Sequence, residues 1–209
     1  MVEWNGTSVW EGSDRELLPG IIDLHWKSRN NGRPRIVDCN YGRGLFWVGS
    51  RYERDVVGID INPARGKTVV ASNNHLPFAN DSIDVLVYDP PHLIDNSKTP
   101  RKKLLSDAYS CAWGCSSLGD YMAPFIKEAG RAIKQNGILI AKVADIIHSA
   151  TYQWQMLMLV GLIQESSLTA CDCIVKTRPR PGAVSSKWKR QMHSRRRHCY
   201  LIVARKGRC

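Results

Sequence analysis

Short β-rich apolar runs alternate with helical segments along this chain, and that alternation constrains its fold more than any other feature. RIVDCN (35–40) reads as a buried strand, and DVVGID (55–60), KTVVAS (67–72), SIDVLVYD (82–89) and GILIAKVAD (137–145) read as four more. GLFWVGSRY (44–52) is expected as a helix. GDYMAPFIKEAGRAIK (119–134) sets Met122, Phe125, Ile126, Ala129 and Ile133 on one face at helical spacing, with Gly137 placed just past its end for a left-handed cap. YQWQMLMLVGLIQE (152–165) is an apolar helix. The last two strands, 167–178 and 197–206, have no helix between them and are expected to pair as an antiparallel hairpin with a long loop. Strands separated by helices imply a parallel sheet covered on both faces, and the closing pair makes it mixed. The expected fold is α/β: a seven-stranded mixed sheet, helices on both faces, last strand antiparallel. Ligands in such sheets bind at the carboxyl ends of the strands.

Charge narrows the choice of partner. The net charge of the 209 residues is +11, and after Asp172 there is no acidic residue but twelve Lys and Arg. The excess is therefore local, and a one-sided basic patch interleaved with Trp188, His193 and His198 suggests nucleic acid over a merely solvated face. No apolar run reaches the roughly 18–20 residues of a membrane span, and the first twenty residues do not read as a secretory signal, so a cytoplasmic location is expected. The seven cysteines are odd in number and poorly spaced for zinc. They are expected as free, mostly buried thiols, with no metal bound.

Three motifs fall at strand ends. The first strand runs into VDCNYGRG, a D-x-x-x-G-x-G pattern of Asp38, Gly42 and Gly44, where glycine lets backbone approach a ligand. It lacks the third glycine of the dinucleotide fingerprint, since Trp47 stands there. Asp60 ends the next strand, 22 residues after Asp38, a placement suited to two ribose hydroxyls. Then VYDPPHL puts Asp89 before Pro90 and Pro91, which stiffen the chain, with the ring of His92 following. Carbonyls beside prolines are free to accept, and an acceptor cluster suits an exocyclic amino group.

In this order the motifs resemble the class I S-adenosylmethionine-dependent methyltransferases, whose sheet is Rossmann-like. More narrowly, the chain resembles small stand-alone, phage-like DNA methyltransferases that modify adenine N6 or cytosine N4 and carry an Asp-Pro-Pro-aromatic motif. The resemblance covers about residues 33–206, including the KWKRQMHSRRRHCYLIVARKG end. It implies S-adenosyl-L-methionine as cofactor. It implies that Asp38, Gly42 and Gly44 hold the methionine part, with Cys39 and Asn40 also at the cofactor, Asp60 on the ribose and Ile61 on the adenine face, and Ser72 and Asn73 where the adenine amine is read. Asp89, Pro90, Pro91 and His92 match the catalytic motif. Two positions depart from the family: Ser72, where Asp is common, and His92, where a larger aromatic is usual. The implied mechanism flips the base out of its stack; Asp89 and the Pro90 carbonyl then accept from its amine, and the nitrogen lone pair turns toward the methyl.

On this reading residues 1–209 form one methyltransferase domain, with a helical extension at 1–32 and substrate-contact loops at 94–117 and 176–197. Arg101, Lys102, Lys103, Lys187, Lys189, Arg190, Arg195, Arg196 and Arg197 are the expected nucleic-acid contacts. Lys142 and Asp145 are expected as a rim salt bridge. So short a chain leaves little room for target recognition, which implies relaxed recognition, a homodimer or another partner. The other readings are an RNA or protein methyltransferase, a nucleic-acid-binding protein with a non-catalytic cofactor pocket, and a small-molecule methyltransferase, which the basic tail disfavours.

Overall fold

A computed structural model describes residues 4–27, 32–61, 68–90, 118–148, 151–179, 193–194 and 196–209. Its strands are β1 (Val9–Trp10), β2 (Ile36–Asp38), β3 (Val56–Asp60), β4 (Thr68–Val70), β5 (Ile83–Tyr88), β6 (Ile133–Val143), β7 (Ile146–His148), β8 (Thr151–Gln153), β9 (Leu168–Thr177) and β10 (His198–Lys206). The helices among the described residues are α1 (Asp14–His25), α2 (Leu118–Ala132) and α3 (Gln155–Gln164). Eight strands form one sheet in the order β1-β9-β10-β6-β5-β2-β3-β4, and β7 and β8 form a separate hairpin. The β10 strand runs antiparallel to both its neighbours, β6 and β9, while the other pairs in the large sheet are parallel.

This is the expected Rossmann-like mixed sheet with two differences. The eighth strand is β1, too short to show in the sequence, which pairs with β9 through Val9↔Val175 and Trp10↔Lys176. The segment 44–52 is not a helix. It is a chain of i→i+3 turns, Trp47 N–H to Gly44 C=O, Ser50 to Trp47 and Glu53 to Ser50. Gly42, Gly44 and Gly49 have φ of +55°, +67° and +72°, values that interrupt a right-handed helix.

The two faces of the sheet are buried by different elements. Leu17, Leu18, Ile21 and Ile22 of α1 pack with Trp47 on Ile36, Val85, Val87, Ile138, Ile140, Leu201 and Val203. On the other face α2 and α3 bring Met122, Phe125, Ile126, Leu159 and Ile163 onto Val37, Ile59, Leu86, Leu139 and Ile202. Alternate residues of each central strand thus serve opposite cores, so β5 and β6 read as continuous apolar runs. After α2 the left-handed residue is Asn136 (φ +67°), not Gly137. Gly137 is constrained sterically, because a Cβ there would lie 2.8 Å from Ile133 Cγ2 and 2.9 Å from the Asp84 carbonyl oxygen.

The cysteines also differ from expectation. Cys171 and Cys209 form a disulfide, while Cys39, Cys173 and Cys199 are free. The β9–β10 register, with Lys206 opposite Leu168, returns the C-terminus to the start of β9 and so brings the two together. Among the described residues no helix is long and apolar enough to cross a membrane.

Candidate functional site

The carboxyl ends of β2, β3 and β5 lie side by side, and each ends in or runs directly into an aspartate. Asp38 is 1% exposed. It accepts hydrogen bonds from Trp47 Nε1 (2.7 Å) and from the backbone N–H of Asn40 (3.1 Å). Burial pushes its carboxyl up to about 7, against the opposing effect of those two donors; the charges of Asp89 and Asp60 push the same way as burial. Its donors, Trp47 and Asn40, are not cations, so among the described residues Asp38 is a buried acid held by neutral N–H groups. Cys39 donates its N–H to the Val87 carbonyl at 3.0 Å, fastening β2 to β5 at this point, and its buried thiol is raised well above the usual range by desolvation first and by Asp38 second.

The chain then turns sharply. Gly42 N–H donates to Asp60 Oδ2 at 2.9 Å, joining the tips of β2 and β3. Tyr41 lies in the turn, and its ring fills the space that a side chain at Gly44 or Gly58 would need, 2.6 Å and 2.5 Å from a Cβ there. Both glycines therefore make room for one aromatic ring, and the sequence pattern does not reveal it. Beyond Asp60, Ile61 is 76% exposed, an apolar side chain at the rim beside the carboxylate. Ser72 caps a turn by accepting from Asn74 N–H at 3.2 Å. Asn73 is buried, and its amide donates to the Tyr121 hydroxyl on α2 at 3.0 Å.

Asp89 follows β5, whose last residue, Tyr88, stacks on Phe125 of α2 with centroids 3.7 Å apart; Pro90 after it is buried. Lys142, at the end of β6, places Nζ 3.4 Å from Asp89 Oδ2 and 3.2 Å from Asp14 Oδ2. Lys176 of β9 reaches the same Asp14 oxygen at 2.8 Å. The Lys142 ammonium also sits 4.6 Å from the Phe46 ring centroid. Desolvation alone would lower Lys142, but Asp89 and then Asp14 outweigh it and hold the ammonium above its ordinary range. Asp14 owes its position to the first turn of α1, next to the Ser13 cap, where Glu16 accepts from Ser13 N–H (3.1 Å) and Oγ (2.6 Å). Lys142 is thus a rim salt bridge, but with Asp89 and Asp14. Asp145 binds elsewhere, to the Tyr152 hydroxyl and the Met156 N–H.

No protein-family model matches the chain, and no curated protein does. Solved structures do. A SAM-dependent methyltransferase from Methanosarcina mazei is 15% identical, with TM-score 0.52 over 89% of this chain and 96% of that one. TrmN from Thermus thermophilus is 14% identical, with TM-score 0.55 over 92% of this chain and 49% of its own. The 1,6-didemethyltoxoflavin-N1-methyltransferase of Burkholderia thailandensis, whose structure holds S-adenosylhomocysteine, is 15% identical, with TM-score 0.52 over 94% and 79%. The fold is that of the Rossmann-like methyltransferases. A fold alone fixes no substrate.

In that fold Asp38, Cys39, Asn40, Gly42, Gly44, Asp60 and Ile61 share the rim with Asp89 and Pro90. Ser72 and Asn73 lie in the turn that follows β4. Pro91, His92, Arg101, Lys102, Lys103, Lys187, Lys189, Arg190, Arg195 and the 94–117 loop lie outside the described residues. Of the basic contacts, Arg196 donates to the Asp145 carbonyl, and Arg197 Nε donates to the Arg178 carbonyl at 3.0 Å. Sequence reasoning missed Asp14, Tyr41 and the bond from Trp47 to Asp38. Trp47 marked only a missing glycine, although a Trp one loop past an acidic strand tip was a readable donor.

Proposed function

We propose that this chain transfers a methyl group from S-adenosyl-L-methionine to the exocyclic amino group of a DNA base, adenine N6 ahead of cytosine N4, as one methyltransferase domain acting in the cytoplasm. What carries this reading is the row of three carboxylates, Asp38, Asp60 and Asp89, on adjacent strand tips with chemically different surroundings. The residues fit the cofactor. Buried Asp38, with neutral donors only among the described residues, suits the ammonium of the methionine part. Asp60 suits ribose hydroxyls, and exposed Ile61 suits the adenine face.

The cofactor supplies an electrophilic methyl on a sulfonium. The chain's part is positioning. Asp89 and the Pro90 carbonyl accept the two N–H bonds of the amine, which turns the nitrogen lone pair outward. Bound there, the cofactor would give up its methyl to the amine nitrogen and retain the electron pair of the bond it loses, while the proton released by the amine would pass toward Asp89 and solvent. Lys142, 3.4 Å away, orients the Asp89 carboxyl until the amine arrives. His92 would face the base, and the basic residues of 101–103 and 187–197 the phosphates, providing affinity rather than specificity.

The test is methyl-labelled cofactor with unmodified DNA and, in parallel, total RNA, followed by nucleoside analysis. N6-methyladenine or N4-methylcytosine that disappears in Asp89→Ala is the expected result. Label in RNA alone moves the substrate to RNA. Cofactor binding with no transfer to either defeats the catalytic reading for nucleic acid.

A further inference from the structure

On the opposite side of β6 from Asp89 lies a second cluster, of which the proposed chemistry uses only Arg196, as a phosphate contact. Tyr200 of β10 pairs with Val143, the last residue of β6, so it stands two strand spacings, roughly 10 Å, from the tip of β5. Tyr152 of β8 and Trp154, at the cap of α3, have ring centroids 4.4 Å apart at 46°. Trp154 is 57% exposed, unusual for a residue of this size at the start of an apolar helix. The Arg196 guanidinium lies 5.9 Å from the Tyr152 ring centroid. His198 Nε2 and the Tyr200 hydroxyl are 2.9 Å apart, with the rings edge to face.

These groups are fixed from beneath. Asp145 is 4% exposed; its carboxylate accepts from the Tyr152 hydroxyl (3.3 Å) and Met156 N–H (3.1 Å), and its carbonyl accepts from Arg196. Asp145 is thus buried and hydrogen-bonded beneath the cluster, while the Trp154 indole is exposed. Core packing would explain Tyr152, but it does not explain an exposed indole. Flat rings beside an arginine bind flat, electron-rich, unpaired ligands next to negative charge, and this arginine belongs to an acid-free, basic stretch of sequence.

We infer that Tyr152, Trp154 and Arg196 form a stacking platform for an unpaired nucleic-acid base, a neighbour of the base presented to Asp89 rather than that base itself. This rests on the nucleic-acid reading above. Tyr200 and the tip of β5 are separated by β6, so the platform would serve an adjacent nucleotide on a strand whose target has been drawn out of the stack. The platform would hold that strand open at the site.

The experiment measures binding of a labelled single-stranded 12-mer, as DNA and as RNA, and of an abasic 12-mer of the same charge, without cofactor. Wild type should prefer the base-containing strands by roughly five- to a hundredfold, the worth of stacking one base on an aromatic side chain. Trp154→Ala should lose that preference with the salt dependence unchanged, and Trp154→Phe should keep most of it. Loss on both sugars fits a platform that reads the base; loss on one alone adds selection by the sugar. Equal wild-type affinity for abasic and normal strands overturns the inference, as does a folded Trp154→Ala protein within twofold of wild type. Methyl transfer is scored separately. Intact stacking without transfer sinks the catalytic reading and leaves the platform standing. Transfer without any base preference sinks only the platform.

Discussion

Asp38 and Asp89 are the same acid on neighbouring strands of one sheet, and the molecule treats them in opposite ways. Asp38 is fully buried, receives two neutral N–H donors, and is pushed up to about 7 by desolvation. Asp89, one strand away, is less buried and already has an ammonium, Lys142, at 3.4 Å. A buried acid without a cation is costly and awaits one. An acid with its cation in place can trade that partner for an N–H. The contrast assigns the waiting acid to a positively charged ligand group and the paired acid to a neutral amine.

The largest break in this comparison should come from Asp89→Ala, which removes the acceptor aimed at the amine. Methyl transfer should fall by roughly 10²–10³-fold or more, with cofactor affinity, measured by calorimetry, nearly unchanged. A parallel loss of cofactor binding would mean that Asp89 belongs to the cofactor site and that the two carboxylates share one role.

Asp38→Asn should do the reverse. Cofactor binding should weaken roughly 10–100-fold, the worth of a hydrogen bond to a charged group at about 1.5–3 kcal/mol. Wild-type affinity should also rise with pH and level off above about 7, changing by up to about tenfold per pH unit below that point, because only ionised Asp38 pairs with an ammonium. The stability of the free protein should move the opposite way. A carboxyl raised on folding contributes stability that is fully present below its unfolded value and is lost as pH rises through the folded one. Melting curves should therefore decline from about pH 4 to about 7 through this group, and Asp38→Asn should flatten that part of the decline. An affinity profile that is flat across pH 5–8 would remove Asp38 from the ammonium.

Trp47→Phe sharpens the same point with a smaller effect. It deletes one of the two donors that oppose the rise, so the midpoint of the affinity profile should shift above 7. Loss of a donor to a buried group should cost about 1–3 kcal/mol of stability. An unmoved midpoint would show that the indole only fills space beneath the turn.

These expectations bear on what a linear sequence can disclose. Strand tips were legible because apolar runs ending in Asp announce themselves locally, as in VVGID and VLVYD, and the resemblance placed Asp38, Asp60 and Asp89 on one rim. What surrounds each acid was not legible. Trp47 reaches Asp38 only because Gly42, Gly44 and Gly49 coil 44–52 into turns, where the run of apolar residues suggested a helix. Lys142 and Asp14 are 128 residues apart and meet because α1 folds under the β6 end of the sheet. The Cys171–Cys209 disulfide likewise depends on a register between β9 and β10 that no spacing rule contains. Local patterning sets the scaffold; partners across the sheet set the chemistry of each acid.

Asp14 gives the finest test. It divides Lys142 between two acids and also holds Lys176 at 2.8 Å. Asp14→Asn keeps the shape and cap position but removes the charge, so Lys142 should settle wholly on Asp89 while Lys176 loses its counter-ion. The amine would then compete with a tighter ammonium. Transfer should slow a few-fold, through kcat more than KM, with stability lower by about 1 kcal/mol. Lys142→Met in the Asp14→Asn background should relieve the slowing, because no ammonium then competes for Asp89. If the double variant is slower still, Lys142 is helping the reaction at the moment of transfer, and the paired acid is not trading its partner but acting together with it.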